Sequence, residues 1–301
     1  MRTVYLGTSE FAASVLERLA ASAHRPALAV TRPDRPKGRG RALQPPPVAQ
    51  AARELGIELS QPEDVNSDDA RERIAAAEPE GLAICAFGAL IKEPLLSGYE
   101  WFNVHPSLLP RWRGAAPVER AIQAGDEQTG ISIMSVVEEL DAGPVYRIGT
   151  EPIRPDDDYG TLAPRLAALA GELLVTALDE RPEPVPQPED GVTYAEKISS
   201  DDRRLDPARP AVELARTVRA LTPHIGAWAE MPDGQRLGVR AARAGDDAGL
   251  APGEPAVRDS RLLLGTGEGA LELVEVQPPG KRPMPAADYL RGHDPTTTPH
   301  L

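Results

Sequence analysis

The chain has 301 residues, 46 acidic against 33 basic side chains, and a formal net charge of −13. That length predicts two domains, each able to bury its own core. The charge argues against a protein that coats nucleic acid non-specifically. The single cysteine, Cys85, excludes an internal disulfide and any Cys-cluster metal site.

The chain starts directly with strand-like sequence. It shows no signal-peptide core and no apolar stretch approaching membrane-spanning length, so a cytoplasmic protein with no membrane partner is expected. The first part alternates strand-like and helix-like segments, the pattern of a mostly parallel sheet with covering helices. Thr3–Leu6 reads as a buried strand. Phe11–Ala20 reads as a helix capped by Ser9, with Phe11, Val15, Leu16 and Leu19 at helical spacing. Gly7 stands where a dinucleotide fold would place G-x-G-x-x-G, but the later glycines are missing, so NAD or FAD binding is not expected. Ala27–Val30 is a second strand, Val48–Leu55 a helix ending at Gly56, and Ile57–Leu59 a short strand.

Between those elements the run RPDRPKGRGR places Arg32, Arg35, Lys37, Arg39 and Arg41 against Asp34 alone. A concentrated basic loop on an acidic chain points to a polyanionic partner, although a solvated surface loop has the same composition.

Leu82–Phe87 and Trp101–Val104 read as central strands, with Cys85 a buried thiol rather than a nucleophile. Asn103 and His105 lie two residues apart and so project from one strand face. Pro106 and Pro110 then rule out helix continuation, and Gly114 lets the backbone approach something closely. A lone Asn-x-His is a weak signal, because a polar strand end before a Pro-rich turn looks the same.

Pro117 opens a helix through Ala124. Ile131–Val137 is a further strand, followed by the turn Glu138-Glu139-Leu140-Asp141-Ala142-Gly143-Pro144. If that strand were a parallel neighbour of Trp101–Val104, their C-terminal ends would share one sheet edge and Asp141 could meet His105. An ordinary turn aspartate is the competing reading.

Leu162–Leu178 is a long amphipathic helix interrupted early by Pro164. Arg181–Gly191 (RPEPVPQPEDG) is Pro- and acid-rich and reads as a semi-rigid linker between domains 1–180 and 192–301. Beyond it come a helix around Val212–Leu221 and short β-like pieces from Ala227 onward, the spacing of a small β-barrel or sandwich.

The stretch FNVHPSLLPRWRGAAP (102–117), together with GTSEFA (7–12), PDRPKGRG (33–40), L-D-x-G-P (140–144), VTYAEKIS (192–199) and QPPGKRPM (277–284), resembles the formyltetrahydrofolate-dependent formyltransferases. Within that superfamily, RWRGAAP and the basic run resemble the methionyl-tRNA formyltransferases in particular. The resemblance implies a Rossmann-like catalytic domain followed by an OB-like barrel that helps hold tRNA. It aligns Asn103, His105 and Asp141 with the family's catalytic trio. It also puts Ser107, Leu108, Leu109 and Pro110 at the folate site, and the insertion with Arg35, Lys37, Arg39 and Arg41 against the tRNA acceptor end.

The implied donor is 10-formyltetrahydrofolate, the implied acceptor methionyl-initiator tRNA, with no metal and a monomeric chain. A sugar-amine or small-nucleotide formyltransferase is the alternative with the same chemistry. A catalytically silent tRNA- or folate-binding protein is the alternative from another class.

Overall fold

Short apolar runs buried on both faces make the central strands of an α/β layer. The computed structural model describes residues 1–37, 42–246 and 248–296. In chain order the first elements are β1 (Thr3–Gly7), α1 (Glu10–Ala20), β2 (Pro26–Val30), β3 (Arg35–Lys37), β4 (Ala42–Gln44) and α2 (Pro47–Leu55). They continue with β5 (Glu58–Ser60), α3 (Asp68–Ala76), β6 (Gly81–Cys85), β7 (Trp101–His105), β8 (Arg113–Gly114) and α4 (Pro117–Ala124). Then come β9 (Gln128–Met134), β10 (Val145–Pro152), α5 (Tyr159–Glu180) and β11 (Tyr194–Ala195).

Seven of these strands form one sheet in the order β10-β9-β7-β6-β1-β2-β5. The pairs β2–β5, β1–β2, β1–β6 and β6–β7 are parallel. Val4, Leu6, Leu28, Val30, Leu82, Ile84 and Trp101 meet in one buried cluster. Helix α1 starts where Ser9 accepts from the Ala12 N–H, and it buries Val15, Leu16 and Leu19.

The strand after α4 corrects an expectation. It ends at Met134 rather than Val137, and it pairs antiparallel with β7, placing Asn103 opposite Met134 and His105 opposite Ser132. Helix α3 escaped the sequence reading because it buries only Ala70 and Ile74, too sparse for an apolar period. Edge strand β10 escaped it because its half-buried, partly charged sequence lacks the apolar run of the inner strands.

Helix α5 corrects another expectation. At 22 residues it is long and apolar enough, by length and composition, to cross a membrane. Half of its apolar window is nevertheless buried within the fold. Leu166, Ala170, Leu174, Ala177 and Leu178 are buried at helical spacing, the stripe of a core helix.

Two compact units divide the chain. Met1–Gly114, Thr129–Pro152 and Ala163–Tyr194 form the first; Ala115–Gln128, Ile153–Leu162 and Ala195–Leu301 form the second. The second holds α6 (Ala211–Leu221), β12 (Ala227–Glu230), β13 (Arg236–Gly245), β14 (Pro255–Arg258), β15 (Arg261–Gly265), β16 (Ala270–Gln277), β17 (Met284–Pro285) and α7 (Ala286–Leu290). Its antiparallel strands follow the order β12-β13-β16-β15-β14, with β17 added to β16. Leu214, Val218 and Leu221 of α6 close over Val239, Leu264, Leu273 and Val276.

Within this second unit, α4 is tied to the segment before α6. Arg120 Nη1 donates to Asp202 Oδ1 at 2.8 Å, and Asp202 Oδ2 accepts from the Ser199 N–H and hydroxyl. The Arg120 guanidinium, helped by the Ser199 donors, holds the Asp202 carboxyl well below the usual carboxylate range. A depressed folded value contributes stability above the unfolded carboxyl pKa, about 3.9, which is lost as pH falls through the folded value. Asp202→Asn should therefore lower the melting temperature at pH 7, and the gap to wild type should close as pH drops from 4 towards 2. Calorimetry across that range checks it; a constant gap would mean that Asp202 acts through shape rather than charge.

Candidate active site

The last residues of β7 face the sheet edge as the two-residue spacing predicts. His105 is only 4% exposed. Its Nε2 lies 2.8 Å from the Trp112 carbonyl oxygen. A carbonyl can only accept, so Nε2 holds the proton and Nδ1 is the nitrogen left to exchange one. Nδ1 faces Asp141 Oδ2 at 3.5 Å. Asn103 Nδ2 donates towards Asp141 Oδ1, also at 3.5 Å. All three predicted residues therefore converge, with the carboxylate between the amide and the imidazole.

The route by which Asp141 arrives differs from the parallel-sheet expectation. Because β9 runs antiparallel to β7, its end points away from His105, and the chain must fold back to reach it. The loop 135–144 does so, closed by the Ser135 N–H donating to the Pro144 carbonyl at 2.8 Å. Asp141 sits at φ +49° and Trp112 at φ +63°, both in the left-handed region. Such backbone costs roughly 1–3 kcal/mol per residue and persists only where surroundings over-determine it, as happens at functional sites. One anchor is the Gly114 N–H, which donates to Asp141 Oδ2 at 2.8 Å. Gly114 has φ +121°, a conformation open to glycine and closed to most side chains.

The turn after His105 is built from the inside. Ser107 is fully buried, and its hydroxyl donates to the Arg111 carbonyl at 2.6 Å. Leu109 packs with Met134 and Val145. Leu108 and Pro110 are half-buried. Ser132 Oγ donates to the Ser107 carbonyl and accepts from the Leu109 N–H, bracing the turn from β9. The side chains of Ser107 and Leu109 thus shape the turn from within, and Leu108 and Pro110 form its partly open side.

The family described as Formyl transferase matches residues 1–178, and Formyl transferase, C-terminal domain, matches residues 197–294. A methionyl-tRNA formyltransferase of Nocardioides sp. is 44% identical over 301 residues, covering 97% of this chain and 95% of the relative. The chain belongs to the methionyl-tRNA formyltransferase family.

Solved structures agree at lower identity. Methionyl-tRNA formyltransferase from Clostridium thermocellum has a TM-score of 0.56 at 14% identity, covering 81% of this chain and 93% of that one. HypX from Aquifex aeolicus, in complex with tetrahydrofolic acid, has a TM-score of 0.63 at 21% identity. The HypX match covers 96% of this chain but only 47% of HypX, and both likenesses show the fold alone.

Several residues of this formyltransferase site were missed in the sequence. Arg113 is 7% exposed and gives Nη1 to Glu139 and two further N–H groups to Gln187. Ser132 and Gln187 hold loops rather than line a motif, so no spacing announces them. A charged residue in the otherwise small and apolar R-G-A-A-P run was the one signal for Arg113.

The predicted basic residues fall unevenly. Arg35 and Lys37 lie on β3, which pairs antiparallel with β4, so the flanks of the basic run form a hairpin ladder rather than loop. Arg35 is exposed and pairs with Glu63 at 3.1 Å. Of Lys37 only the backbone is described, and Arg39 and Arg41 lie outside the described residues. Arg32, Pro33 and Arg35 border a cleft of about 400 Å3 that Thr8 also lines. Cys85 is buried, and burial pushes its thiol up to about 12, so it is unsuited to act as a nucleophile at neutral pH.

Proposed function

We propose that this chain transfers the formyl group of 10-formyltetrahydrofolate to the α-amino group of methionyl-initiator tRNA. Formyl transfer is the chemistry of its family, and the observation supporting it most directly is the convergence of Asn103, His105 and Asp141. The methionyl nitrogen forms a bond to the formyl carbon, and the bond from that carbon to the folate nitrogen breaks. One proton leaves the amine and one arrives on the folate nitrogen.

Asn103 Nδ2 donates to the oxyanion of the tetrahedral intermediate, a role typically worth about 3–4 kcal/mol at the transition state. His105 Nδ1 takes the amine proton and returns it to the leaving nitrogen, while Nε2 stays fixed on Trp112. Asp141 orients the ring and stabilises its charged form during the transfer. The turn Ser107–Pro110 shapes the folate site.

Arg35, Lys37, Arg39 and Arg41 grip the tRNA acceptor end. Residues 1–180 are the catalytic domain, residues 181–191 the linker and residues 192–301 the tRNA-holding domain. The enzyme acts as a cytoplasmic monomer.

The test is a turnover assay offering the formyl donor with charged initiator tRNA in one arm and amino-sugar nucleotides in the other. Formylated tRNA with no formylated sugar is the expected result. The reverse preference would keep the chemistry and overturn the acceptor, and no turnover in either arm would leave a binding protein.

A further inference from the structure

Gln187 lies in the Pro-rich stretch that the sequence marks as linker, between Pro186 and Pro188. That stretch is pinned to the catalytic sheet. Val185 exchanges both backbone hydrogen bonds with Val145, at 2.8 and 2.9 Å, where β10 begins. Two residues on, the Gln187 amide enters the active-site loop. Its Nε2 donates to the Asp141 carbonyl at 2.7 Å and to the Gly143 carbonyl at 2.8 Å. Its Oε1 accepts from Arg113 Nε and Nη2 at 3.1 and 2.9 Å. Two donors and two lone pairs are all that an amide side chain offers, and each is used.

We propose that Gln187 is a positioning residue for formyl transfer, holding the backbone of the Asp141 loop so that the carboxylate faces His105. The proposal rests on the catalytic reading of Asp141 given above. A left-handed Asp141 needs outside support, and Gln187 holds that residue's own carbonyl. Arg113, buried and braced on Glu139, locks the other end of the amide. The flanking prolines fix φ on both sides of Gln187 and restrict the direction in which its amide is presented. The chain that leads to the second unit thus also sets the geometry of the first unit's catalytic carboxylate.

Gln187→Glu separates positioning from packing, because the carboxylate still accepts from Arg113 but turns an anion on the two loop carbonyls. We expect kcat to fall about 10–100-fold, as small misplacements of reacting groups do, with KM for donor and tRNA near wild type. In an Asp141→Asn background the same change should cost nothing further, since both act through one group.

Should Gln187→Glu fail to fold, Gln187→Met is measured in the same way, and failure of both makes Gln187 a structural staple and overturns the proposal. Wild-type kcat in a folded variant beside an impaired Asp141→Asn overturns it too, as do additive losses in the double variant. A silent Asp141→Asn instead overturns the catalytic reading of Asp141, and the role of Gln187 with it.

Discussion

Replacing His105 or Asn103 by alanine should lower kcat by on the order of 10²–10³ while leaving donor binding close to wild type. What each atom can do where it stands sets that loss. Asn103 Nδ2 is held near a carboxylate oxygen, so the amide presents N–H groups at the site, as an oxyanion donor must. His105 has one nitrogen committed to a carbonyl and one facing a carboxylate, so only Nδ1 can take up and return a proton.

His105→Ala also removes the Nε2 hydrogen bond to the Trp112 carbonyl, and a typical hydrogen bond contributes about 0.5–1.5 kcal/mol of stability. His105→Gln separates the two effects. A glutamine amide can supply an N–H to Trp112 and restore stability, but it cannot shuttle a proton, so kcat should stay low. Thermal melts beside single-turnover kinetics make the measurement. Near-wild-type kcat in all three variants would remove these residues from the chemistry.

What the sequence discloses follows from how local each determinant is. The inner strands β1 and β6 were legible because they are buried on both faces and so appear as short, mostly apolar runs, and β7 because Trp101, Phe102 and Val104 keep that pattern around Asn103. The direction of β9 was not, because an apolar run reads the same whether its partner is parallel or antiparallel. Its end was misplaced for a related reason. Val136 and Val137 continue the β-like pattern, yet from Ser135 the chain is already held by the returning loop.

Asn103, His105 and Asp141 could be named because short motifs contain them. Gln187 could not, since its partners lie 44, 46 and 74 residues away and a lone glutamine among prolines has no periodicity to betray it. The basic run was legible as charge, while its flanking ladder was hidden by Pro36, which is tolerated at strand edges but lowers strand propensity.

The second large effect should come from Gly143→Ala, a single methyl group far smaller than any catalytic side chain. A Cβ at Gly143 would stand 1.9 Å from the Ser135 carbonyl oxygen and 2.8 Å from its carbon. Both atoms are backbone, so no rotamer change can clear them. Pro144 narrows the escape further by restricting the conformation of the residue before it. The loop must instead lift from β9, breaking the bond from the Ser135 N–H to the Pro144 carbonyl and straining the one from Gln187 to Gly143.

Asp141, two residues upstream, moves with it and loses the 2.8 Å contact with Gly114 and the approach to His105. Overpacking of this kind costs about 1–3 kcal/mol in stability, and a shift on the order of 1 Å at a reacting group can cost 10²-fold in rate. Gly143→Ala should therefore remain largely folded at 25 °C and lose most of its kcat. Gly292→Ala, where a Cβ would meet nothing within 4 Å, is the matched control and should be neutral. Kinetics and melting curves for the pair decide the matter. If Gly143→Ala turned over at the wild-type rate, the close approach of this loop to Ser135 would not be what sets the carboxylate, and Gly114 would be left to hold Asp141 from the other side.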